Sequence, residues 1–101
     1  MNNINYEALM ATIVEMYKEK NENISIDKKN SYKDYLIDHD EEYVRYIDVM
    51  LSLMPYEYER IIKNDYFQDR IVKWWQEFYS KSTYYRRKHE AVKLFVDCLS
   101  L

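Results

Sequence analysis

Apolar side chains recur three and four residues apart along most of this chain, which is the spacing of one face of an α-helix. The spacing predicts a first helix over residues 4–20 and, after a polar connection at 21–30, a short helix capped by Ser31. An acidic run at residues 38–40 interrupts the pattern, and its aspartates suit the cap of a third helix that continues to about Leu53. Three helices are therefore expected in the N-terminal half.

The second half of the chain repeats this helical spacing beyond its one proline. Pro55 suits the first turn of a new helix, so a fourth helix is predicted over residues 55–66. Bulky side chains recur over residues 69–78, and Ser82 is a good cap for a last helix over residues 83–99. The side chains expected on the buried face of that last helix are Tyr84, Ala91, Val92, Phe95 and Leu99. The sequence thus predicts an all-α fold, a compact bundle of five or six helices.

Composition supports a helical fold and excludes several classes of function. Glycine is absent and proline occurs once among 101 residues. Phosphate-binding loops need glycine for close backbone approach, so P-loop and dinucleotide-binding fingerprints are excluded. No apolar stretch is long enough for a signal peptide or a membrane span, which predicts a cytoplasmic protein. The single cysteine, Cys98, forms no internal disulfide and is expected to be a buried structural thiol.

The sequence contains no motif of a catalytic or metal-binding site. Its two histidines, His39 and His89, have neither the H-x-x-x-H spacing nor the cysteine partners of a zinc site. The acidic residues around His39 are explained by a helix cap and its first turn. Nucleophilic catalysis needs a serine or cysteine with a nearby base and a group that orients the base, and no sequence motif here suggests such an arrangement. We therefore expect a non-enzymatic protein without cofactor or metal.

Charge is divided unevenly along the chain, whose net charge is −3. Residues 1–69 contain eight Lys or Arg against fifteen Asp or Glu, whereas residues 70–101 contain seven against three. A basic end on an acidic body orients a protein on a polyanion. Any contact with nucleic acid is therefore expected from the C-terminal third.

The last two predicted helices have the layout of a helix-turn-helix. A helix is followed by a break of three or four residues and by a Ser-capped helix that begins with basic side chains. In that motif the N-terminal residues of the second helix enter the major groove. The expected groove contacts are Lys81, Ser82, Thr83, Tyr85 and Arg86, and the expected phosphate contacts are Arg87, Lys88, His89 and Lys93. The same cations also fit the solvated face of a terminal helix, and the local spacing leaves both interpretations open.

Two stretches from Leu53 onward, "LMPYEYERIIKNDYF" and "WWQEFYSKSTYYRRKHEAVKLF", carry a family resemblance. They resemble region four of sigma-70-type factors and the related ArpU-type phage transcription regulators. The run from Ser80 is also similar to the tails of small mycoplasma proteins. The resemblance covers about half of the chain. The length of 101 residues predicts a single helical domain over residues 1–101. Within it an acidic part at 1–54 precedes the half at 55–101, which the resemblance implies is a helix-turn-helix.

The resemblance also implies roles for single positions. Its turn residue falls on Ser80. The contacts to bases or phosphates fall on Lys81, Ser82, Tyr85 and Arg86, and the packing positions fall on Tyr84, Ala91 and Phe95. The chain departs from the family at Trp74 and Trp75, where a small residue is usual, and at Arg87, where an aliphatic residue is usual. Because the two tryptophans are adjacent, one of them is expected at the edge of the core.

We therefore expect a DNA-binding protein that regulates transcription, with double-stranded DNA as its partner. By analogy, the acidic part contacts RNA polymerase or a second subunit, and a homodimer suits this function. The alternative is a non-catalytic helical interaction module, in which the basic C-terminal helix and exposed Trp or Tyr side chains bind an acidic protein. A continuous positive face around Arg86 favours DNA, whereas carboxylates folded across that face favour a protein partner.

Overall fold

Four α-helices make up most of the chain in this computed structural model, which describes residues 4–27, 34–68 and 72–99. The elements in chain order are α1 (Tyr6–Asp27), α2 (Asp34–Ser52), α3 (Tyr56–Ile62), a π-helical turn (Lys63–Phe67), a 3-10 turn (Trp74–Glu77) and α4 (Lys81–Leu99). The all-α class is confirmed for these residues, but the number of five or six helices is not. None of the described helices is both long and apolar enough to cross a membrane.

α1 is longer than the helical spacing predicted. It extends to Asp27, so residues 21–27, predicted as part of a polar connection, are helical. Ile24 explains the extension, because its side chain is buried and continues the apolar face of the helix. No glycine or proline interrupts this stretch. The predicted cap of the next helix, Ser31, lies outside the described residues.

α2 runs without a break from Asp34 to Ser52. The prediction that a new helix starts within residues 38–40 is therefore wrong. Acidic side chains suit the solvent side of a helix as well as its cap. Asp40 lies 3.1 Å from the Lys20 ammonium of α1 and forms an ion pair with it. The acidic run thus helps to join α1 to α2 and does not separate two helices.

α4 begins earlier than predicted, because Ser80 is its cap. The Ser80 hydroxyl accepts a hydrogen bond from the Thr83 backbone N–H at 3.3 Å, and the Ser80 carbonyl accepts one from the Tyr84 N–H at 2.9 Å. The prediction of Ser82 as the cap is therefore wrong. Either serine suits the position by residue type, and only the backbone geometry distinguishes them.

The segment before α4 contains a single turn where the sequence predicted a helix over residues 69–78. Residues 69–71 lie outside the described residues, and Trp74–Glu77 form one 3-10 turn. Lys73 enters this turn in the left-handed region, at φ 59°. That conformation costs a residue other than glycine roughly 1–2 kcal/mol. Because it also turns the backbone out of the right-handed helical path, no α-helix continues through Lys73.

α4 is the central element of the core and contacts the three other helices. The main cluster of buried side chains consists of Met10, Val14, Ile47, Leu51, Met54, Ile62, Ala91, Val92, Phe95 and Val96. A smaller cluster, formed by Ile61, Trp75 and Tyr84, joins α3 and the 3-10 turn to the start of α4. The predicted burial is confirmed for Tyr84, Ala91, Val92 and Phe95. Leu99 and Cys98, both predicted to be buried, are partly exposed at the end of the helix.

Tyrosine hydroxyls connect the helices at the border of this core. Tyr17 of α1 donates a hydrogen bond to Asp48 of α2 at 2.7 Å, and Tyr6 donates one to Asp97 of α4 at 3.0 Å. Burial, followed by the hydrogen bond and charge of Asp48, raises the pKa of Tyr17 to about 12. Both rings pack against the main cluster of buried side chains, while their hydroxyls donate to carboxylates of neighbouring helices.

We expect Met10→Ala to destabilise the protein by about 2–5 kcal/mol, because Met10 is 0% exposed and its removal leaves a cavity in the main cluster. Met16 of the same helix is 40% exposed, so Met16→Ala is expected to cost less than about 1 kcal/mol. Urea denaturation followed by circular dichroism measures both. Equal losses in the two variants would contradict the packing of α1 described above.

Candidate nucleic-acid interface

The start of α4 is held in place by an aromatic pair. Tyr84 is 2% exposed, and its ring stacks on that of Trp75 with centroids 4.6 Å apart and an angle of 8° between the planes. Trp75 belongs to the 3-10 turn, and Ile61 of α3 completes the cluster. The stack therefore fixes α4 against the segment that precedes it.

The carboxylate of Asp65 joins the π-helical turn to the same region. Its side chain is 6% exposed, and it accepts hydrogen bonds from the indole N–H of Trp74 at 2.8 Å and from the hydroxyl of Tyr84. The Lys88 ammonium lies 3.4 Å from this carboxylate. Burial, followed by the hydrogen bond to Asp65, raises the pKa of Tyr84 above its ordinary value, so the hydroxyl remains a donor.

Several predicted contact residues share one exposed side of the first turns of α4. They are Lys81, Ser82, Tyr85, Arg86 and His89, and together they are called the exposed α4 face. At 100° per residue they fall on one side of the helix, away from Tyr84. Residues 81–89 contain no Asp or Glu. Within the described ranges, neither Lys81 nor Arg86 forms a direct ion pair with a carboxylate, and both side chains are exposed. The charge of Arg86 contributes, after Tyr58 and Arg87, to lowering the pKa of Glu90 beside this face.

Arg87, in contrast, points toward α3. Its guanidinium lies 3.5 Å from a carboxylate oxygen of Glu57 and 3.4 Å from one of Glu90. These two carboxylates raise the pKa of Arg87. The hydroxyl of Tyr58 donates a hydrogen bond to Glu90 at 2.7 Å, and this bond and the charge of Arg87 lower the pKa of Glu90. Arg87 therefore links α4 to α3, a role that the family resemblance did not imply.

The remaining predicted contacts are also engaged within the protein. Lys88 pairs with Asp65, and Lys93 lies 2.8 Å from Asp97 one turn further along α4. Thr83 is partly buried and shares the helix cap with the hydroxyl of Ser80. Carboxylates thus reach the flank of α4 and its later turns, whereas the exposed α4 face carries none.

Arg60 is a structural residue of this region that the sequence reasoning missed. Its guanidinium carbon lies 4.5 Å from the ring centroid of Phe78 and 5.6 Å from that of Trp74. It also donates a hydrogen bond to the Tyr79 hydroxyl at 3.2 Å. These cation–π contacts hold α3 against the chain that leads into α4. The density of aromatic residues at 74–79 was the available signal, but it does not identify which cation they surround.

The two tryptophans differ in exposure, as their adjacency predicted. Trp75 is 9% exposed, and Trp74 is partly buried beside it. The exposed aromatic side chains are instead Tyr56 at 75%, Phe78 at 56% and Tyr85 at 52%. A protein partner would therefore meet tyrosine and phenylalanine, not tryptophan, near the start of α4.

Comparison of the chain with protein-family models, curated proteins and solved structures found no match. The helix-turn-helix predicted within residues 55–101 is not confirmed as a whole, because the described element directly before α4 is a 3-10 turn. A function for this chain must therefore be inferred from the residues and contacts of α4 itself.

Asp65→Asn is expected to destabilise the protein by about 1–3 kcal/mol, because the amide cannot pair with Lys88 and loses acceptor capacity for Trp74 and Tyr84. Glu22→Gln is the matched control, since Glu22 is exposed on α1, and it is expected to change stability by less than about 0.5 kcal/mol. Urea denaturation measures both free energies of unfolding. Native-like stability of Asp65→Asn would show that α4 is positioned by the apolar contacts alone.

Proposed function

We propose that this protein binds double-stranded DNA through the first turns of α4 and regulates transcription. The observation that supports this proposal is the exposed α4 face, which offers Lys81, Ser82, Tyr85, Arg86 and His89 from a stretch without carboxylates. Such a face combines positive charge with hydrogen-bond donors. Phosphate oxygens and the edges of bases are the acceptors that these groups meet in DNA.

In the proposed complex α4 lies in the major groove, which is about 12 Å wide and admits one helix. Arg86 is assigned the base contact, because a guanidinium donates two hydrogen bonds to the O6 and N7 atoms of guanine. Lys81 and Ser82 are assigned to phosphates, beside the free backbone N–H groups of the helix start. Tyr85 directly precedes Arg86, and His89 follows Arg86 by about one turn.

The cations outside this face are assigned according to their partners. Lys93 and Asp97 are 52% and 45% exposed, and an exposed ion pair contributes about 1 kcal/mol at most, so a phosphate competes with Asp97 for Lys93. Lys88 is different, because its departure would break its ion pair with the nearly buried carboxylate of Asp65. We therefore assign Lys88, like Arg87, to positioning α4, and Lys93 to an outer phosphate contact.

A helical protein partner is the second candidate, and an apolar groove favours it. The groove has a volume of about 260 Å³ and is lined by Leu9, Ile13, Tyr43, Tyr46, Val96 and Leu99. Leu9 and Tyr46 are 44% and 45% exposed there. DNA bound to the exposed α4 face would leave this surface open to water, whereas a helix with an apolar face would cover it. Because DNA binding and protein binding would use different surfaces, substitutions on each surface distinguish the two candidate functions.

Titration of duplex DNA with the full chain tests the first candidate. We expect binding that weakens with salt, with a slope of log K against log salt of about −2 to −3, because about two or three phosphates are neutralised. Arg86→Ala is expected to weaken binding to the preferred sequence by about 1–3 kcal/mol. Fluorescence anisotropy with labelled duplexes, first random and then genomic in origin, measures both quantities.

Lys18→Ala is the control for Arg86→Ala, since it removes the same charge from an exposed position on α1. It is expected to leave DNA affinity within about twofold of the native chain, because charges far from the interface are screened. If no duplex binds at low salt, or if both substitutions weaken binding equally, the exposed α4 face is not the DNA-binding surface. Substitutions at Leu9 and Tyr46 then test the protein-partner candidate.

A further inference from the structure

A cavity of about 620 Å³ lies beside the exposed α4 face. Its lining comes from the π-helical turn, from residues 72–79 and from the start of α4. This volume falls within the range of about 300–1,000 Å³ that is common for small-molecule sites. The cavity is therefore large enough for a ligand, and its lining determines which kind.

Positive charge dominates the lining. Three lysines contribute to it, Lys73, Lys81 and Lys88. Lys88 is neutralised by Asp65 at 3.4 Å. Lys73 and Lys81 are both exposed, and in the described part of the chain neither forms an ion pair with a carboxylate. Two ammonium groups thus remain available to an anion at the cavity.

The acidic member of the lining does not attract a cation. The Asp65 carboxylate already accepts hydrogen bonds from Trp74 and Tyr84 and pairs with Lys88. A positively charged ligand would compete with these donors and would also meet the charges of Lys73 and Lys81. The cavity therefore suits an anion, and a metal ion or an amine is the wrong ligand.

Aromatic rings supply the other feature of the lining. Tyr84 and Trp75 stack on each other and are buried, so they form part of the wall. Trp74 is partly buried, and Tyr85 is 52% exposed at the helix start. A ring with an exposed surface is a stacking partner for a planar aromatic ligand. The ligand that fits both features is planar and aromatic at one end and anionic at the other.

We propose that this cavity binds a single nucleotide, with the base against Tyr85 and Trp74 and the phosphate between Lys73 and Lys81. A free mononucleotide and an unpaired nucleotide within a strand share this chemistry. The site goes beyond the proposed contact with duplex DNA, because it requires one unpaired base and no groove. Lys81 belongs to both surfaces, whereas Lys73 and Trp74 belong to the cavity and Arg86 to the exposed α4 face.

The test titrates the full chain with adenosine 5′-monophosphate in the absence of DNA. The only two tryptophans of the chain, Trp74 and Trp75, both line the cavity, so their fluorescence reports on its occupancy. We expect the nucleotide to change the fluorescence at lower concentration than adenosine or inorganic phosphate, by about tenfold in Kd, since each of these offers only half of the contacts. An octanucleotide that binds more tightly than the mononucleotide identifies a strand as the source.

Substitutions test whether the change in tryptophan fluorescence depends on the residues assigned to the nucleotide. Lys73→Ala and Tyr85→Ala are each expected to weaken nucleotide binding by about tenfold, through the lost charge and the lost stacking surface. Lys18→Ala removes an exposed lysine on α1 that does not line the cavity, and it is expected to bind the nucleotide as the native chain does. Circular dichroism verifies that each variant is folded.

The proposal is overturned if neither the mononucleotide nor the octanucleotide binds at millimolar concentration. It is also overturned if folded Lys73→Ala and Tyr85→Ala bind as tightly as the native chain. Because no duplex is present, failure of this titration does not bear on groove binding. Conversely, Arg86→Ala is expected to weaken duplex binding without changing the Kd for the mononucleotide, which separates the two proposals.

Discussion

The nearly buried carboxylate of Asp65 is the constraint on which the C-terminal half depends. Burying a carboxylate is strongly unfavourable unless donors replace its water. Asp65 receives an indole N–H, a phenol O–H and an ammonium, from Trp74, Tyr84 and Lys88. These donors come from two elements, so all three interactions form only when the 3-10 turn and α4 both lie against the π-helical turn. The direction in which α4 presents its exposed face thus depends on a residue outside that face.

The sequence predicted the parts of the fold that follow from local periodicity. The buried positions of α4, from Tyr84 to Phe95, follow from helical spacing, and so does the all-α class. The errors lie at helix ends and breaks, where several residue types compete for one role. The acidic run in α2 has the composition of a cap but lies inside a helix, and Ser80 and Ser82 were equivalent by type. An ion pair between α1 and α2 decides the first case, and the local backbone geometry at Ser80 decides the second.

The candidate site was predictable in composition but not in geometry. The pairs Arg87–Glu90 and Lys93–Asp97 are three and four residues apart and could have been recognised from sequence. The pair between Lys88 and Asp65 could not, because its partners are far apart in sequence and meet only in the folded chain. Residue type and spacing therefore predict that every Lys and Arg of residues 81–93 is available to DNA. The fold engages three of them and leaves the exposed α4 face with a small positive charge.

The small positive charge of the exposed α4 face limits its attraction to the phosphates of DNA. The protein as a whole carries a charge of −3, so its body is repelled by phosphates while α4 is attracted. With two available cations on the exposed α4 face, Lys81 and Arg86, attraction to the backbone alone is weak. The repulsion between the acidic helices and the phosphates therefore orients the protein on DNA but does not strengthen binding. Most of the affinity in the proposed complex must therefore come from contacts with base edges, because little of it is supplied by charge.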